Sequence, residues 1–162
     1  MPGRFNIAMT DVTTTVPLLD EGDYVLEFGQ VKLFSRDSKD PAKEGQEVYG
    51  VQTAIRVIEG PSHVGKTIPQ QLFLHSEAAL PMVKRTVMAA LGFDPNSDDG
   101  QTAFNKKFSN DAWICDWDNN AIGEVFTRLA GANVRATVSQ KLSAQRDGSE
   151  PRMQNQFTWK PL

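Results

Sequence analysis

The feature that most constrains the fold of this chain is a period-two pattern between positions 47 and 58. Tyr49, Val51, Thr53, Ile55 and Val57 all have the same parity. Side chains of one parity lie on one face of a strand, and an apolar face of this length is buried against a core. The segment therefore predicts a long β-strand with one buried face.

Four further segments predict strands, and turn-forming residues separate them. They cover residues 22–34, 66–74, 133–142 and 153–159. Residues 35–45 are charged and contain Pro41 and Gly45, which is typical of an exposed hairpin tip. Residues 143–150 contain Asp147-Gly148, a dipeptide typical of a hairpin turn. The pattern predicts five strands, of which the last two form a closing hairpin.

One segment has a clear helical period. Leu80, Val83 and Val87 recur along one face, Ser76 is the expected N-cap, and Gly92 stands where the helix should end. Residues 93–110 are rich in Asp, Asn, Ser and Gly and predict an irregular connection. A short helix is expected over residues 120–129, ending at Gly131.

Three strands, a helix and a closing hairpin is the element order of an OB-fold, a small Greek-key barrel. We therefore expect a mainly β, OB-fold-like five-stranded barrel with one helix between strands 3 and 4 and an inserted loop or short helix. Residues 1–20 are expected to form an N-terminal arm, and residues 21–162 a single domain. Other β-barrels and sandwiches stay open as alternatives.

Composition limits the function. The net charge is −3, whereas proteins that bind duplex DNA usually have a basic footprint. Cys115 is the sole cysteine, so no internal disulfide is expected, and a reducing cytoplasm suits the chain. The sequence has no apolar run long enough for a membrane span and no signal-peptide pattern at its start, so we expect no membrane partner.

The segment GPSHVGKT at residues 60–67 matches the P-loop pattern G-x-x-x-x-G-K-[ST]. A P-loop binds phosphates where a buried strand enters a helix. Here the preceding segment alternates, and Pro69 follows in a short extended segment that does not suit a helix. A hairpin turn is the favoured interpretation.

Residues for metal binding and catalysis are few. His63 and His75 are the only histidines, and Cys115 stands alone in an apolar setting. A structural zinc site usually needs four Cys or His ligands, and a lone apolar cysteine is usually part of the core. We expect no metal, no cofactor and no catalytic residue, and therefore a protein that is not an enzyme.

Basic and aromatic residues alternate along the predicted strands. In an open barrel, outward aromatics can stack bases while lysines and arginines bind phosphates. The alternation cannot separate these residues from the aromatics that fill the core, although Trp159, next to Phe157 on one parity, suits the core. The candidate nucleic-acid-binding residues are Lys32, Phe34, Arg36, Lys39, Lys43, Tyr49, Arg56, Lys66, Arg135, Lys141 and Trp159.

A series of short motifs follows along residues 20–160: GDY at 22–24, VIEGP at 57–61, GK at 65–66, ALGF at 90–93, GANV at 131–134 and NQF at 155–157. In these motifs and their order the chain resembles a family of small phage-encoded proteins, long described as a domain of unknown function, whose genes lie beside phage replication and recombination genes. The stretch from EGP to GK is a strand-turn-strand in that family. The chain departs from it in residues 94–118 and in having no acidic C-terminal tail.

The resemblance implies single-stranded DNA binding in phage DNA replication or recombination, in the host cytoplasm. We expect stacking and phosphate contacts with little sequence preference. Partners would be single-stranded DNA, phage recombination or replication proteins and, in a homo-oligomer, further copies of the chain. The alternatives are a virion structural protein, either a capsid-decorating or a tail β-domain, and a P-loop nucleotide enzyme.

Overall fold

The protein is built on one six-stranded antiparallel sheet with a few short helices. The computed structural model describes residues 18–38, 45–143 and 150–162, and of Ser143 and Arg152 only the backbone. The elements, in chain order, are β1 (Gly22–Phe28), β2 (Lys32–Asp37), β3 (Glu47–Glu59), β4 (Thr67–Phe73), α1 (Leu80–Ala90), α2 (Asp98–Lys107), a 3-10 turn (Asn110–Trp113), α3 (Glu124–Thr127), β5 (Asn133–Ser143) and β6 (Arg152–Pro161).

The first predicted strand is two strands in the structure. β1 and β2 follow one another along the same edge of β3, β1 beside its end and β2 beside its beginning. Between them the Gly29 N–H donates to the Ala54 carbonyl at 2.8 Å, and the Thr53 hydroxyl donates to the Gly29 carbonyl at 2.9 Å. A Cβ on Gly29 would lie 2.9 Å from the Ala54 oxygen. The close approach of the two backbones at Gly29 interrupts the first predicted strand, so the sheet has six strands instead of the predicted five.

The mainly β prediction is confirmed, but the sheet is not closed. Its order is β2-β3-β1-β5-β6, and β4 pairs with the other edge of β3. Among the described strands no ladder joins β4 to β6, the pair that would complete a barrel. Helix α1 contacts β4, β5 and β6 and so covers the sheet near this opening. Along the chain α1 follows β4 and precedes β5, as the sequence predicts for the helix between the third and fourth predicted strands.

Helix α1 begins later than predicted. Ala79 is its N-cap residue and makes no side-chain capping bond, so the prediction of Ser76 as the cap is wrong. Pro81 lies in the first turn, where its fixed φ and missing N–H suit a helix start. At the other end Gly92 has φ +91°, and the Phe93 N–H donates to the Met88 carbonyl at 2.8 Å. The predicted glycine ending is confirmed.

Helix α2 lies in residues 93–110, for which the sequence predicts an irregular connection, so that prediction is wrong. Ser97 caps it by accepting a hydrogen bond from the Gly100 N–H at 3.2 Å. Acidic residues lie in its first turn and Lys106 and Lys107 in its last, which complements the helix dipole. Phe104 is its only buried residue, so the helix has no apolar period for a pattern search to detect. The helix expected over residues 120–129 is reduced to α3, and Gly131 follows it with φ +80°.

The last residues of the predicted N-terminal arm belong to the domain. Residues 1–17 lie outside the described part of the chain, but Leu19 is fully buried. The Leu19 N–H donates to Asn155 Oδ1 at 2.8 Å, and its carbonyl accepts from Gln140 Nε2 at 2.9 Å. Side chains of β5 and β6 therefore hold this backbone against the core.

The P-loop-like segment is the turn of the β3–β4 hairpin, as the sequence predicts. It leads into an antiparallel strand rather than a helix. Gly60 has φ +157°, and a Cβ there would lie 2.1 Å from Cδ1 of the buried Tyr24 ring. The Tyr24 hydroxyl lies 2.9 Å from Ser62 Oγ and donates to the Asp20 carbonyl at 2.7 Å. The first glycine of the motif is thus explained by packing against Tyr24.

We predict that Gly60→Ala and Gly65→Ala differ in cost. Gly65 has φ +85° and open space around it, so alanine there should cost only the left-handed conformation, about 1–2 kcal/mol. Gly60→Ala should cost about 1–3 kcal/mol more, because the Tyr24 ring must move. Urea unfolding of both variants measures the difference. Equal costs would mean that Tyr24 does not constrain the turn.

Candidate functional site

A pair of phenylalanine rings meets over a glycine on the outward face of the sheet. Phe34 of β2 and Phe73 of β4 both lie opposite Gly50 of β3. The ring centroids are 5.9 Å apart in an edge-to-face arrangement at 83°. A Cβ on Gly50 would lie 2.0 Å from the Leu72 carbonyl oxygen, so only glycine allows this approach. Gly50 therefore lets the backbone of β4, which carries Phe73, lie close to β3.

Three more rings continue from this pair. The His75 ring lies 5.7 Å from Phe73 and 5.8 Å from Tyr49, and Trp117 lies 5.0 Å from Tyr49. All five side chains are partly exposed. We call this set the aromatic surface: Phe34, Tyr49, Phe73, His75 and Trp117.

Trp117 reaches the aromatic surface from a distant part of the chain. Its Nε1–H donates to the Phe34 carbonyl at 2.9 Å, across 83 positions in sequence. The loop that carries it is closed by two hydrogen bonds of 2.8 Å between the backbones of Asp116 and Ala121. The indole is therefore fixed both by its own loop and by the edge of β2.

The Asp116 carboxylate holds this loop together. It accepts hydrogen bonds from Asn119 Nδ2 at 2.6 Å and from the N–H groups of Asp118 at 3.0 Å and Asn119 at 3.3 Å. The bond from the Asn119 side chain is the main reason that the pKa of Asp116 is lowered. Because its folded pKa is below its unfolded one, the carboxylate stabilises the loop above about pH 4, the ordinary aspartate pKa. That contribution is lost as the pH falls through the lower folded pKa.

Two cations lie beside the aromatic surface. Lys32 and Arg36 have the same parity as Phe34 on β2, so the two cations lie on the same face as the ring, one on each side of it. Lys32 pairs with Gln52 of β3, and Arg36 pairs with Val48. Among the described residues neither forms a salt bridge; the ion pairs there involve Arg56 and Arg128. Both cations are therefore available to an anionic ligand at this face.

The other predicted basic residues lie elsewhere or are engaged. Arg56 forms a 3.0 Å ion pair with Glu27. Lys66 is exposed in the β3–β4 turn, while Arg135 and Lys141 are exposed on β5. Lys39 and Lys43 lie outside the described residues. The structure brings Lys32, Phe34 and Arg36 together on the outward face of β2. Tyr49 has the parity of the core-facing Val51 and joins the aromatic surface through its contacts with His75 and Trp117. The other described basic candidates lie outside this surface.

Trp159 is buried, which corrects its inclusion among the ligand-binding candidates. Its side chain is 7% exposed. The ring stacks on Phe157 at 5.0 Å and lies 5.7 Å from Phe28. It faces inward from β6, the strand that α1 also contacts, and therefore fills the core.

Sequence reasoning missed three members of the aromatic surface. The sequence places Phe73 within the predicted strand at residues 66–74, considers His75 only as a possible metal ligand and assigns no role to Trp117. The parity of Phe73, opposite to that of the buried Leu72, was a signal that its ring faces outward. Trp117 gave no comparable signal, because only the folded chain brings it to β2.

Cys115 has the properties of a structural thiol. Its Sγ accepts a hydrogen bond from the Gly123 N–H at 3.3 Å and lies 3.8 Å from the Trp113 carbonyl. Burial raises the pKa of the thiol, and the Gly123 N–H opposes this less strongly. The reactive thiolate is therefore disfavoured. Within the described ranges, no three His, Cys, Asp or Glu side chains group together as metal ligands would.

Comparisons with known proteins add no assignment. No model of a protein family matches the chain, and a search of curated proteins finds no significant match. The resemblance to the phage family therefore stays a prediction. In the part of the chain that the structure describes, no helix is long and apolar enough to cross a membrane.

We predict that Asp116→Ala releases Trp117 from the edge of β2. The indole N–H signal of Trp117 in an NMR spectrum should shift, and its exchange with water should become faster. The indole signals of Trp113 and Trp159 serve as internal references. Asp118→Ala is the matched control, since only the backbone of Asp118 bonds to Asp116. An unchanged Trp117 signal in Asp116→Ala would mean that the carboxylate does not position the ring.

Proposed function

We propose that this protein binds single-stranded DNA, with unpaired bases stacked on the aromatic surface and phosphates held by Lys32 and Arg36. The observation that carries the proposal is a continuous series of five partly exposed rings beside two cations without a salt bridge in the described chain. Stacking on aromatics combined with basic side chains is how proteins bind single strands with little sequence preference.

Single strands suit this surface better than duplex DNA. Bases in a duplex are stacked on one another, whereas an unpaired base has a free face for an aromatic ring. The net charge of −3 also disfavours a ligand as highly charged as a duplex, because binding it depends mainly on neutralised phosphates. Stacking supplies affinity that needs few cations.

We also infer an OB-like arrangement. Taking β1 and β2 as one bent strand, the order is three strands, a helix and two strands, as in an OB-fold. OB-folds bind oligonucleotides on the face formed by strands 2 and 3, which correspond to β3 and β4 here. Phe73 belongs to the second of these strands and Phe34 pairs with the first, and this position of the two rings supports an OB-like binding face.

A role in phage DNA replication or recombination, in the host cytoplasm, is part of the proposal and depends on the sequence resemblance. Phage recombination or replication proteins and further copies of the chain are the partners that such a role implies. A protein that coats single strands requires neither a cofactor nor a catalytic group.

We predict that Phe34→Ala and Phe73→Ala each weaken binding to a dT oligomer by about 1–3 kcal/mol, the usual contribution of one stacked base. Fluorescence anisotropy measures the affinity, and a melting curve gives the folded fraction. For Phe34→Ala the loss of stability should stay near 1 kcal/mol, since the ring is only half buried. Phe93→Ala is the control, because Phe93 is also half buried but contacts Phe104 instead of the aromatic surface.

The two possible failures have different meanings. If both variants bind normally per folded molecule, the aromatic surface is not the binding site. If the wild type does not bind oligonucleotides at all, single-strand binding is wrong, and a virion structural role becomes the leading alternative. Co-purification of the protein with phage particles would then support that role.

Salt dependence tests the two cations. Each neutralised phosphate of a single strand contributes about −0.7 to the slope of log K against log salt, and we expect a total slope on the order of −2 to −4. Removing Lys32 and Arg36 together should make the slope less steep by about 1.4. Arg135→Ala, on the outward face of β5, should leave the slope nearly unchanged. A slope that responds to Arg135 and not to the double variant would place the phosphates elsewhere.

A further inference from the structure

A groove rich in glutamine lies beside the aromatic surface. It has a volume of about 940 Å³, at the upper end of the range of small-ligand pockets, roughly 300–1,000 Å³. Phe73 and Lys32 belong to its lining, so the groove is continuous with the aromatic surface. Five of its lining residues are Gln30, Gln52, Gln70, Gln71 and Gln154.

The strand register places the groove one row from the stacked rings. Lys32, Gln52 and Gln71 lie opposite one another across β2, β3 and β4. The neighbouring row on the same face contains Phe34, Gly50 and Phe73, two residues along each strand. Two residues of a strand span about 7 Å. The edge of a base stacked on Phe73 is therefore within reach of the amides.

The chemistry of the groove favours a neutral ligand that forms hydrogen bonds. Among the residues that the structure describes, no carboxylate lines the groove, and Lys32 is the only charged residue in its lining. Within the described part of the chain, none of the five glutamine amides has a hydrogen-bond partner. An amide presents a donor and an acceptor side by side and can exchange them by rotating half a turn. It can therefore match the adjacent donor and acceptor on the pairing edge of any base.

We propose that this groove binds the pairing edges of unpaired bases through its glutamine amides. The inference rests on the proposed single-strand binding and adds how the bases are read. Stacking on the aromatic surface holds the face of a base, while Gln52 and Gln71 hydrogen-bond its edge. A base within a duplex has no free pairing edge, so the groove excludes double strands. The hydrogen bonds are between uncharged groups, so this share of the affinity is insensitive to salt.

The test compares a dT oligomer with the same oligomer built from N3-methylthymidine. The methyl group replaces the N3–H donor and obstructs the pairing edge, while the phosphates and the face of the ring are kept. The wild type should bind the methylated oligomer about tenfold more weakly, as expected for the loss of one or two hydrogen bonds.

Glutamine variants test whether the amides of the groove cause this difference in affinity. Gln52→Leu with Gln71→Leu keeps similar side-chain size but removes both amides. We expect this double variant to bind the two oligomers equally, near the level at which the wild type binds the methylated one. Gln156→Leu is the matched control, since Gln156 is an exposed glutamine on β6 outside the groove. It should keep the tenfold preference, and melting curves confirm that all variants are folded.

Three results overturn the inference. If the wild type binds both oligomers equally while Phe34→Ala weakens both, the stacking proposal stands and the groove does not read base edges. If the double variant keeps the tenfold preference, the edges are read elsewhere on the protein. If the wild type binds neither oligomer, single-strand binding itself is wrong and this inference falls with it.

Discussion

Both edges of β3 are hydrogen-bonded, and the rest of the structure depends on this arrangement. One edge pairs with β1 and β2 in succession and the other with β4, so one strand of thirteen residues holds three others. The alternation of inward and outward side chains along β3 therefore sets which face each paired residue of these three strands occupies. Val51, Ile55 and Val57 face the core, while Gln52 and Arg56 are exposed on the other face.

The same pairing creates the candidate site. Because β2 and β4 lie on opposite edges of β3, residues far apart in sequence share one row, as Phe34 and Phe73 do across Gly50. The next row brings Lys32 into line with Gln52 and Gln71. Stacking groups, a cation and glutamine amides are thus held side by side on a rigid sheet. A ligand meets these groups without the cost of ordering a loop.

The candidate site could be predicted only where one strand carries its own signal. Lys32, Phe34 and Arg36 share a parity within a few residues, and the sequence assigns all three to one face. Local sequence does not distinguish the partly exposed Phe34 from the buried Trp159, since both are aromatic residues on strands with basic neighbours. The register of β6 and its contact with α1 bury Trp159, and neither can be read from local alternation. Trp117 joins the surface through one hydrogen bond that spans 83 positions.

The sequence by itself determined the mainly β class, most strand positions, helix α1 with its glycine end, and the hairpin turn at the P-loop-like segment. These follow from local alternation, helical period and the backbone freedom of glycine, which act over a few residues. The tertiary structure decided the break between β1 and β2, the open sheet, the aromatic surface and the glutamine groove. Each of these depends on which residues from separate strands and loops come to lie opposite one another, and that register is set by the packing of the whole chain.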